Sequence, residues 1–353
     1  MRPIDFAVDF GDLPDGRATR LWALSNDQMR VTITDYGARL VSIETPDRNG
    51  VRGHVLLGFD NAAAYATAGG SFGAILGRYA NRIRGGRFRL DNQEYQLDAN
   101  DQGNTLHGGT EGFGSKLWHT TQFRGGAAPE LALTFSSPDG DQGFPGTLTV
   151  NALYRLESNQ LKIELSATTD APTPVNLSAH PYFNLSGLPG TDIQSHEIMI
   201  RAARFLPTDA KQIPTGCYQE VADTAFDFRQ TQGLAGRLWQ DDPQLLIGRG
   251  FDHCFILDDQ GRSAPNLAAS ACDPASGRCL EVRTTQPGLQ FYAGNSLDGS
   301  LVGRFGRSLR QSAGFAFEAQ GFPDAPNQPG FPDSILRPGQ TYRQEIDYRF
   351  FAV

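Results

Sequence analysis

The stretch Leu161-Lys162-Ile163-Glu164-Leu165-Ser166-Ala167-Thr168 alternates apolar and polar residues through eight positions. A two-residue period gives a strand one buried and one wet face, whereas on a helix it would scatter the apolar groups around the axis. A similar run, Leu148 to Leu156, precedes it, and Ser158-Asn159 supplies the turn of an antiparallel hairpin. A second hairpin reads as Gly86 to Leu90, a turn at Asp91-Asn92-Gln93, and Glu94 to Leu97. Strands are also expected at Met29 to Thr34, Ala38 to Thr45, Leu131 to Phe135, Ile198 to Ala202, Cys279 to Thr284 and Leu289 to Tyr292. Only Asn61 to Ala68 and Gln232 to Trp239 read as helices. Glycine (40) and proline (21) together exceed their usual share of about 12% in a chain of 353 residues, as many turns between many strands require. No Pro- or Ser-rich linker, internal repeat or low-complexity tract divides the chain, and Pro-rich Gly321 to Pro332 reads as a long shaped loop. The expectation is an all-β fold: one large antiparallel β-sandwich spanning residues 1–353 as a single domain, with few short helices.

A net charge of −8 and a pI near 5.3 argue against nucleic-acid and anionic-membrane partners, which want a basic face, and leave a neutral small molecule open. No run approaches the roughly 18 apolar residues of a membrane span, and Met1-Arg2-Pro3-Ile4-Asp5-Phe6 lacks the apolar core of a secretory leader. A cytoplasmic location follows as an expectation. Four cysteines (Cys217, Cys254, Cys272, Cys279) are too few for a disulfide scaffold. Cys272 and Cys279 flank a Pro-Ala-Ser-Gly turn and could bridge across a hairpin, but the compartment favours reduced thiols.

Glu318 interrupts the otherwise apolar run Phe315-Ala316-Phe317-Glu318-Ala319-Gln320. Burying even a neutral polar group without a partner costs about 2–7 kcal/mol, and a bare carboxylate more, so such a residue is kept for chemistry or for a network. His180 has a matching setting in Ser178-Ala179-His180-Pro181-Tyr182-Phe183-Asn184-Leu185. Four further segments place polar groups among glycines or in strand-like patterns: Gly77 to Ile83, with Asn81 and Arg82; Asn104 to Gly109, with His107; Phe251 to Phe255, with Asp252; and Gln286 to Tyr292, with Gln290 beside two aromatics. Planar amides, a guanidinium and carboxylates that bind hydroxyls, together with aromatic rings for a C–H face, are what a monosaccharide site needs. Each piece also has a plain structural reading. His107 could cap a loop, Asp252 a turn, and Asn81 and Arg82 could be a turn and a solvated charge. His54, His119 and His196 are read as structural.

Taken in order, Gly77–Ile83, Asn104–Gly109, Asn176–Leu185, Phe251–Phe255 and Glu318–Asn327 resemble the motifs of the aldose 1-epimerase (galactose mutarotase) family over nearly the whole chain. The resemblance implies a galactose mutarotase-like β-supersandwich. It implies His180 as general acid and Glu318 as general base, with His107, Asn81, Arg82, Asp252 and Gln290 as contacts to sugar hydroxyls or the ring oxygen. The activity implied is interconversion of the α and β anomers of a free aldose, with no cofactor and no metal, by a monomer or homodimer. The chain departs from the family's pattern at Ser178, often Thr; at Pro181, often Ser, Thr or Gln; and at Ala316-Phe317, often Cys-Leu. None of these removes a proton-transfer group, and Pro181, which lacks an N–H, bears on the His180 loop and on sugar preference.

Rival readings differ in what they need. A glycoside hydrolase needs two carboxyls, for which Asp252 and Glu318 are candidates, but no acid–base histidine. A carbohydrate-binding module needs no Glu/His pair. Zinc ligation by two His, one Asp and one Glu lacks close His spacing in the sequence. A sugar-phosphate epimerase would want more cations than Arg82.

Overall fold

The 148–169 hairpin forms as its alternation dictates. Leu148–Glu157 pairs with Gln160–Thr169 in unbroken register, and every second residue is buried from Leu148 to Leu156 and from Leu161 to Ala167. Ser158 turns the chain at φ 51°. In the computed structural model, which describes residues 7–258 and 264–353, this hairpin lies in a nine-stranded antiparallel sheet. The sheet runs His119–Arg124, Glu130–Ser137, Leu148–Glu157, Gln160–Thr169, Tyr342–Ala352, Arg278–Thr284, Asn266–Cys272, Glu197–Ile200, Gln232–Gly233. The expectation about a leader falls on residues 1–6, outside the described residues. Among the described residues, no helix is long and apolar enough to cross a membrane.

Two five-stranded sheets face it. One is N-terminal: Val8–Asp12, Ala18–Ser25, Arg30–Thr34, Arg39–Pro46, Arg52–His54. The other runs Gln219–Glu220, Arg204–Phe205, Asp252–Ile256, Gly288–Tyr292, Ala316–Gln320. Leu133, Val150, Ile163 and Tyr348 of the large sheet share one buried cluster with Trp22, Val31 and Leu40 of the first and Phe255, Phe291 and Phe317 of the second. The all-β sandwich expected from the alternation is thus observed.

The pleat of the second small sheet positions the site. Gln290 pairs with Cys254 on one side and Glu318 on the other, and Tyr292 pairs with Asp252 and Ala316. Because paired residues and their i±2 neighbours share a face, Asp252, Gln290, Tyr292 and Glu318 stand together on one side. Phe255, Phe291, Phe317 and Ala319 stand on the other, in the core. Each buried Phe contributes about 1.5–3 kcal/mol, which offsets the cost of carrying a carboxylate on the opposite face.

Three expectations need correction. Gln232 to Trp239 is not a helix: Gln232–Gly233 is an edge strand paired with Glu197 and Ile198. The second helix is instead Pro243–Gly248, where the Asp242 side chain accepts from the Gln244 N–H at 2.8 Å and Pro243 fills the first turn. Asn61 caps the other helix, Ala62–Ala68, as its sequence suggests. The turn of the 86–97 hairpin is only Asp91-Asn92, since Gln93 already pairs with Leu90. Finally, Cys272 and Cys279 are disulfide-bonded, not reduced: they face each other directly in the ladder, Cα to Cα 4.1 Å, close enough for the sulfurs to meet.

His196 is structural as expected, and fully buried. Its Nε2 accepts from the Leu185 N–H at 2.9 Å, so the ring must stay neutral there, and burial lowers its pKa to about 4. An unfolded histidine titrates near 6.5. As pH falls through that value the unfolded chain takes up a proton the folded chain refuses, and stability is lost. His196→Gln keeps an acceptor near the Nε2 position without titrating. Its Tm should therefore fall less than the wild type's between pH 7 and pH 5; equal pH slopes in parallel thermal melts would refute this account.

Candidate active site

The segment carrying His180 is tied down along its backbone. Ser178–Ala179 pairs with Ile75–Leu76, the His180 N–H donates to Ala74 O at 3.0 Å, and His180 O accepts from the Gly73 N–H at 2.8 Å. Phe183 exchanges two backbone hydrogen bonds with Phe315. The Ser178 hydroxyl donates to Ala319 O at 2.9 Å. These bonds lay the segment beside the Glu318 strand without using an N–H at position 181, so Pro181 leaves no gap in the network.

The result is a contact between His180 Nε2 and Glu318 Oε1 at 3.4 Å, both side chains buried. The imidazole stacks on Tyr182 (centroids 4.8 Å, planes 24° apart), Tyr182 stacks in turn on Phe72, and the edges of His107 and Tyr292 close the sides. Such packing fixes the ring's rotation. Burial lowers the His180 pKa to about 4, while burial and then the Asp252 charge raise that of Glu318 well above the ordinary carboxylate value. Glu318 Oε2 has no hydrogen-bond partner among the described residues.

His107 adopts φ 53° ahead of Gly108, whose own φ is 88°. A Cβ on Gly108 would lie 2.0 Å from Gly77 O, so only glycine fits the approach of these two loops. The Asn81 N–H donates to His107 Nδ1 at 3.1 Å, which fixes the hydrogen on Nε2 and makes His107 a neutral donor. Its pKa is held well below the usual value by burial, with His180 and Arg82 adding to the effect.

These groups border a cavity of about 740 Å³ whose walls include Asn81, Arg82, His107, His180, Asp252 and Glu318, within the usual size range of small-molecule sites. Gln290 is not on the wall. It is buried and donates from Nε2 to Asp252 Oδ1 at 2.7 Å, while its Oε1 has no hydrogen-bond partner among the described residues. Arg82 is buried, not a solvated charge. It donates from Nε to Asp101 Oδ2 at 2.7 Å and from Nη2 to Gln212 Oε1 at 2.9 Å. Gln212 Nε2 donates to Asp252 Oδ2 at 2.7 Å. Asp101, Gln212, Tyr182 and Tyr292 also reach the cavity and were not singled out from the sequence. Tyr182 was legible, two residues from His180. Asp101 and Gln212 sit in polar loops with no distinguishing pattern.

His107, His180 and Glu318 place three ligand-type atoms within 4.8 Å of one another, a geometry that the wide sequence separation did not suggest. The chemistry of the set does not fit a divalent metal. With Nδ1 accepting from the Asn81 backbone, His107 can offer Nε2 as a ligand only by giving up that hydrogen bond or its last ring proton.

A family model described as aldose 1-epimerase matches residues 20–349. Galactose mutarotase from Homo sapiens is 42% identical over 342 residues, covering 97% of each chain. Aldose 1-epimerase from Escherichia coli K12 is 38% identical over 343 residues, covering 96% of this chain and 97% of that protein. Among solved structures, galactose 1-epimerase from Lactobacillus acidophilus matches with a TM-score of 0.84 at 30% identity over 98% of each chain.

With His107 held in this tautomer, purified protein should carry far less than one equivalent of zinc per chain, and added Zn²⁺ should leave its thermal stability unmoved. Stoichiometric metal in elemental analysis, or a Tm raised by zinc and restored by chelator, would contradict it.

Proposed function

This chain belongs to the aldose 1-epimerase family, and from that premise we propose that Glu318 and His180 open and reclose the ring of a free aldose at the wall of the cavity. The reaction is anomer interconversion. In the opening step Glu318 takes the proton from O1 as His180 gives one to the ring oxygen O5; the C1–O5 bond breaks and C1=O1 forms. Rotation about C1–C2 presents the other face of the aldehyde. Closure then runs with roles exchanged: His180 recovers its proton from O5 and Glu318 returns its proton to O1.

The observation that carries this assignment is the 3.4 Å pair with its opposed pKa shifts. The cycle needs one proton shared by two groups. Burial favours the arrangement without net charges, carboxylic acid beside neutral imidazole, which is also the state the pair reaches once the ring is open. The starting state, carboxylate beside imidazolium, is accordingly a strong base next to a strong acid. Sugar hydroxyls bonded to the pair would help to stabilise the charged arrangement. His107, as a neutral Nε2–H donor, suits a sugar oxygen, and Asn81, Arg82 and Asp252 suit hydroxyls around the ring.

Galactose is the proposed substrate among free aldoses, on the strength of relatives named galactose mutarotase. An unphosphorylated sugar is favoured because Asp101, Asp252 and Glu318 line the cavity, Arg82 is already engaged by Asp101, and all three nitrogens of Arg39 donate to backbone carbonyls, so that three carboxylates stand against exposed Arg249 as the remaining arginine of the wall. We place the enzyme in the cytoplasm, as a monomer or homodimer and a single domain over residues 1–353, with the Cys272–Cys279 bridge as the one feature that runs against that compartment.

Glu318→Gln and His180→Asn should each lower kcat about 10²–10⁴-fold with smaller changes in KM. Near-wild-type mutarotation of galactose by either variant, followed by polarimetry, would remove the assignment. Because the His180 pKa lies near 4, wild-type kcat should hold as pH falls from 7 to about 5.5, below the ordinary imidazole value. A limb centred near 6.5 would count against the pair.

A further inference from the structure

We propose that Gln212 is a positioning residue for sugar recognition: its amide spaces Arg82 and Asp252 so that both remain available to hydroxyls. The inference rests on the reading of those two residues as sugar contacts. An amide offers an acceptor and a donor on one planar group. Gln212 uses Oε1 to accept from Arg82 Nη2 at 2.9 Å and Nε2 to donate to Asp252 Oδ2 at 2.7 Å. Arg82 Nη1 stands only 3.9 Å from the same Oδ2, short of a direct hydrogen bond. With Gln290 on Oδ1, the Asp252 carboxylate is held by an amide on each oxygen, and its remaining lone pairs are kept from the guanidinium. Without the Gln212 amide, the buried cation and the carboxylate would close into a bidentate pair, the arrangement that Arg and Asp favour, and withdraw from the cavity.

The loop holding Gln212 is built to aim it. Thr208 and Pro214 bridge its base, and Asp209 Oδ1 accepts from the N–H groups of Lys211 and Ile213. Gln212 itself sits at φ 59° and lines the cavity. The Gln244 side chain, from the helix Pro243–Gly248, accepts from the Thr208 N–H at 2.7 Å and donates to Thr208 O at 3.0 Å, which anchors the loop to the sheet's flank.

The test measures KM and kcat for galactose and its monodeoxy analogues with wild type, Gln212→Leu, Gln212→Glu and Asp252→Asn, with thermal melts to confirm folding. Asp252→Asn identifies the hydroxyl that Asp252 reads, as the position whose removal no longer raises KM. Gln212→Leu should raise the galactose KM about tenfold, the scale of a lost hydrogen bond to a charged group, with kcat within about threefold. It should also shrink the penalty at that same hydroxyl. Gln212→Glu, which sets an oxygen against Asp252 Oδ2, should raise KM further. A Gln212→Leu enzyme with wild-type KM, or with every deoxy penalty intact, overturns the proposal. If no penalty disappears in Asp252→Asn, then Asp252 does not read the sugar and this inference falls with that contact. Glu318→Gln, run alongside, tests the proton-transfer assignment separately through kcat, while the KM pattern alone decides the role of Gln212.

Discussion

A β-strand turns successive side chains to opposite faces, and Ala316–Gln320 uses that rule to sink a carboxylate into the protein without a permanent cation beside it. Phe317 and Ala319 hold the strand from the core side, so Glu318 can stay poorly solvated on the other. Were the register to slip by one residue, Phe317 would face the cavity and Glu318 the core. The ladder with Gly288–Tyr292 rules this out by setting Gln290 opposite Glu318 through five consecutive pairs. The chemistry therefore rests on sheet register, and the nine-stranded sheet behind it is the mass of apolar surface that makes the register firm.

Around the pair, polarity is arranged in two grades. Glu318 and His180 meet each other and the cavity, with few bonds to the protein, as the proposed proton exchange requires. Asp252 and Arg82 are each held by two side-chain hydrogen bonds, through Gln290, Gln212 and Asp101, with capacity left over. Groups that bind a neutral ring gain from being fixed in advance, since ordering them at the moment of binding would cost affinity. Groups that exchange protons gain from desolvation, which here drives their pKa values in opposite directions.

The sequence disclosed those parts whose signal is local. Alternation located the 148–169 hairpin and the other strands named from it within a residue or two, because half-buried strands must alternate, but strands such as Ala18–Ser25, Asn266–Cys272 and Tyr342–Ala352 were not picked out. Glu318 and His180 stood out because a polar group in an apolar run has few structural excuses, and family resemblance then supplied roles. What lay hidden depended on partners far along the chain. Gln290 stood out beside its aromatics, but its hydrogen bond to Asp252, 38 positions earlier, was not visible. The Cys272–Cys279 bridge was judged from the compartment when the strand register, unseen, was the deciding fact. The helix expected at Gln232 to Trp239 lost to an edge-strand pairing, while Asp242-Pro243, a proper start signal, was passed over.

Asp101 and Gln212 show why some cavity-wall positions carry no mark at all. Both sit in loops whose composition is that of any polar turn, and their importance arises from Arg82, which reaches one from each side of the cavity. Arg82 belongs to a quoted motif; its partners need only supply a carboxylate and an amide at the right points in space. The loop that bears Gln212 meets its own backbone needs through Asp209 and Gln244, so its stability does not depend on the residue it displays. If these residues act as proposed, a site assembled in this way can keep its Glu318–His180 pair constant while the edge bearing Asp101 and Gln212 changes one loop residue at a time, which is where differences in sugar preference between relatives of the same fold would be expected to lie.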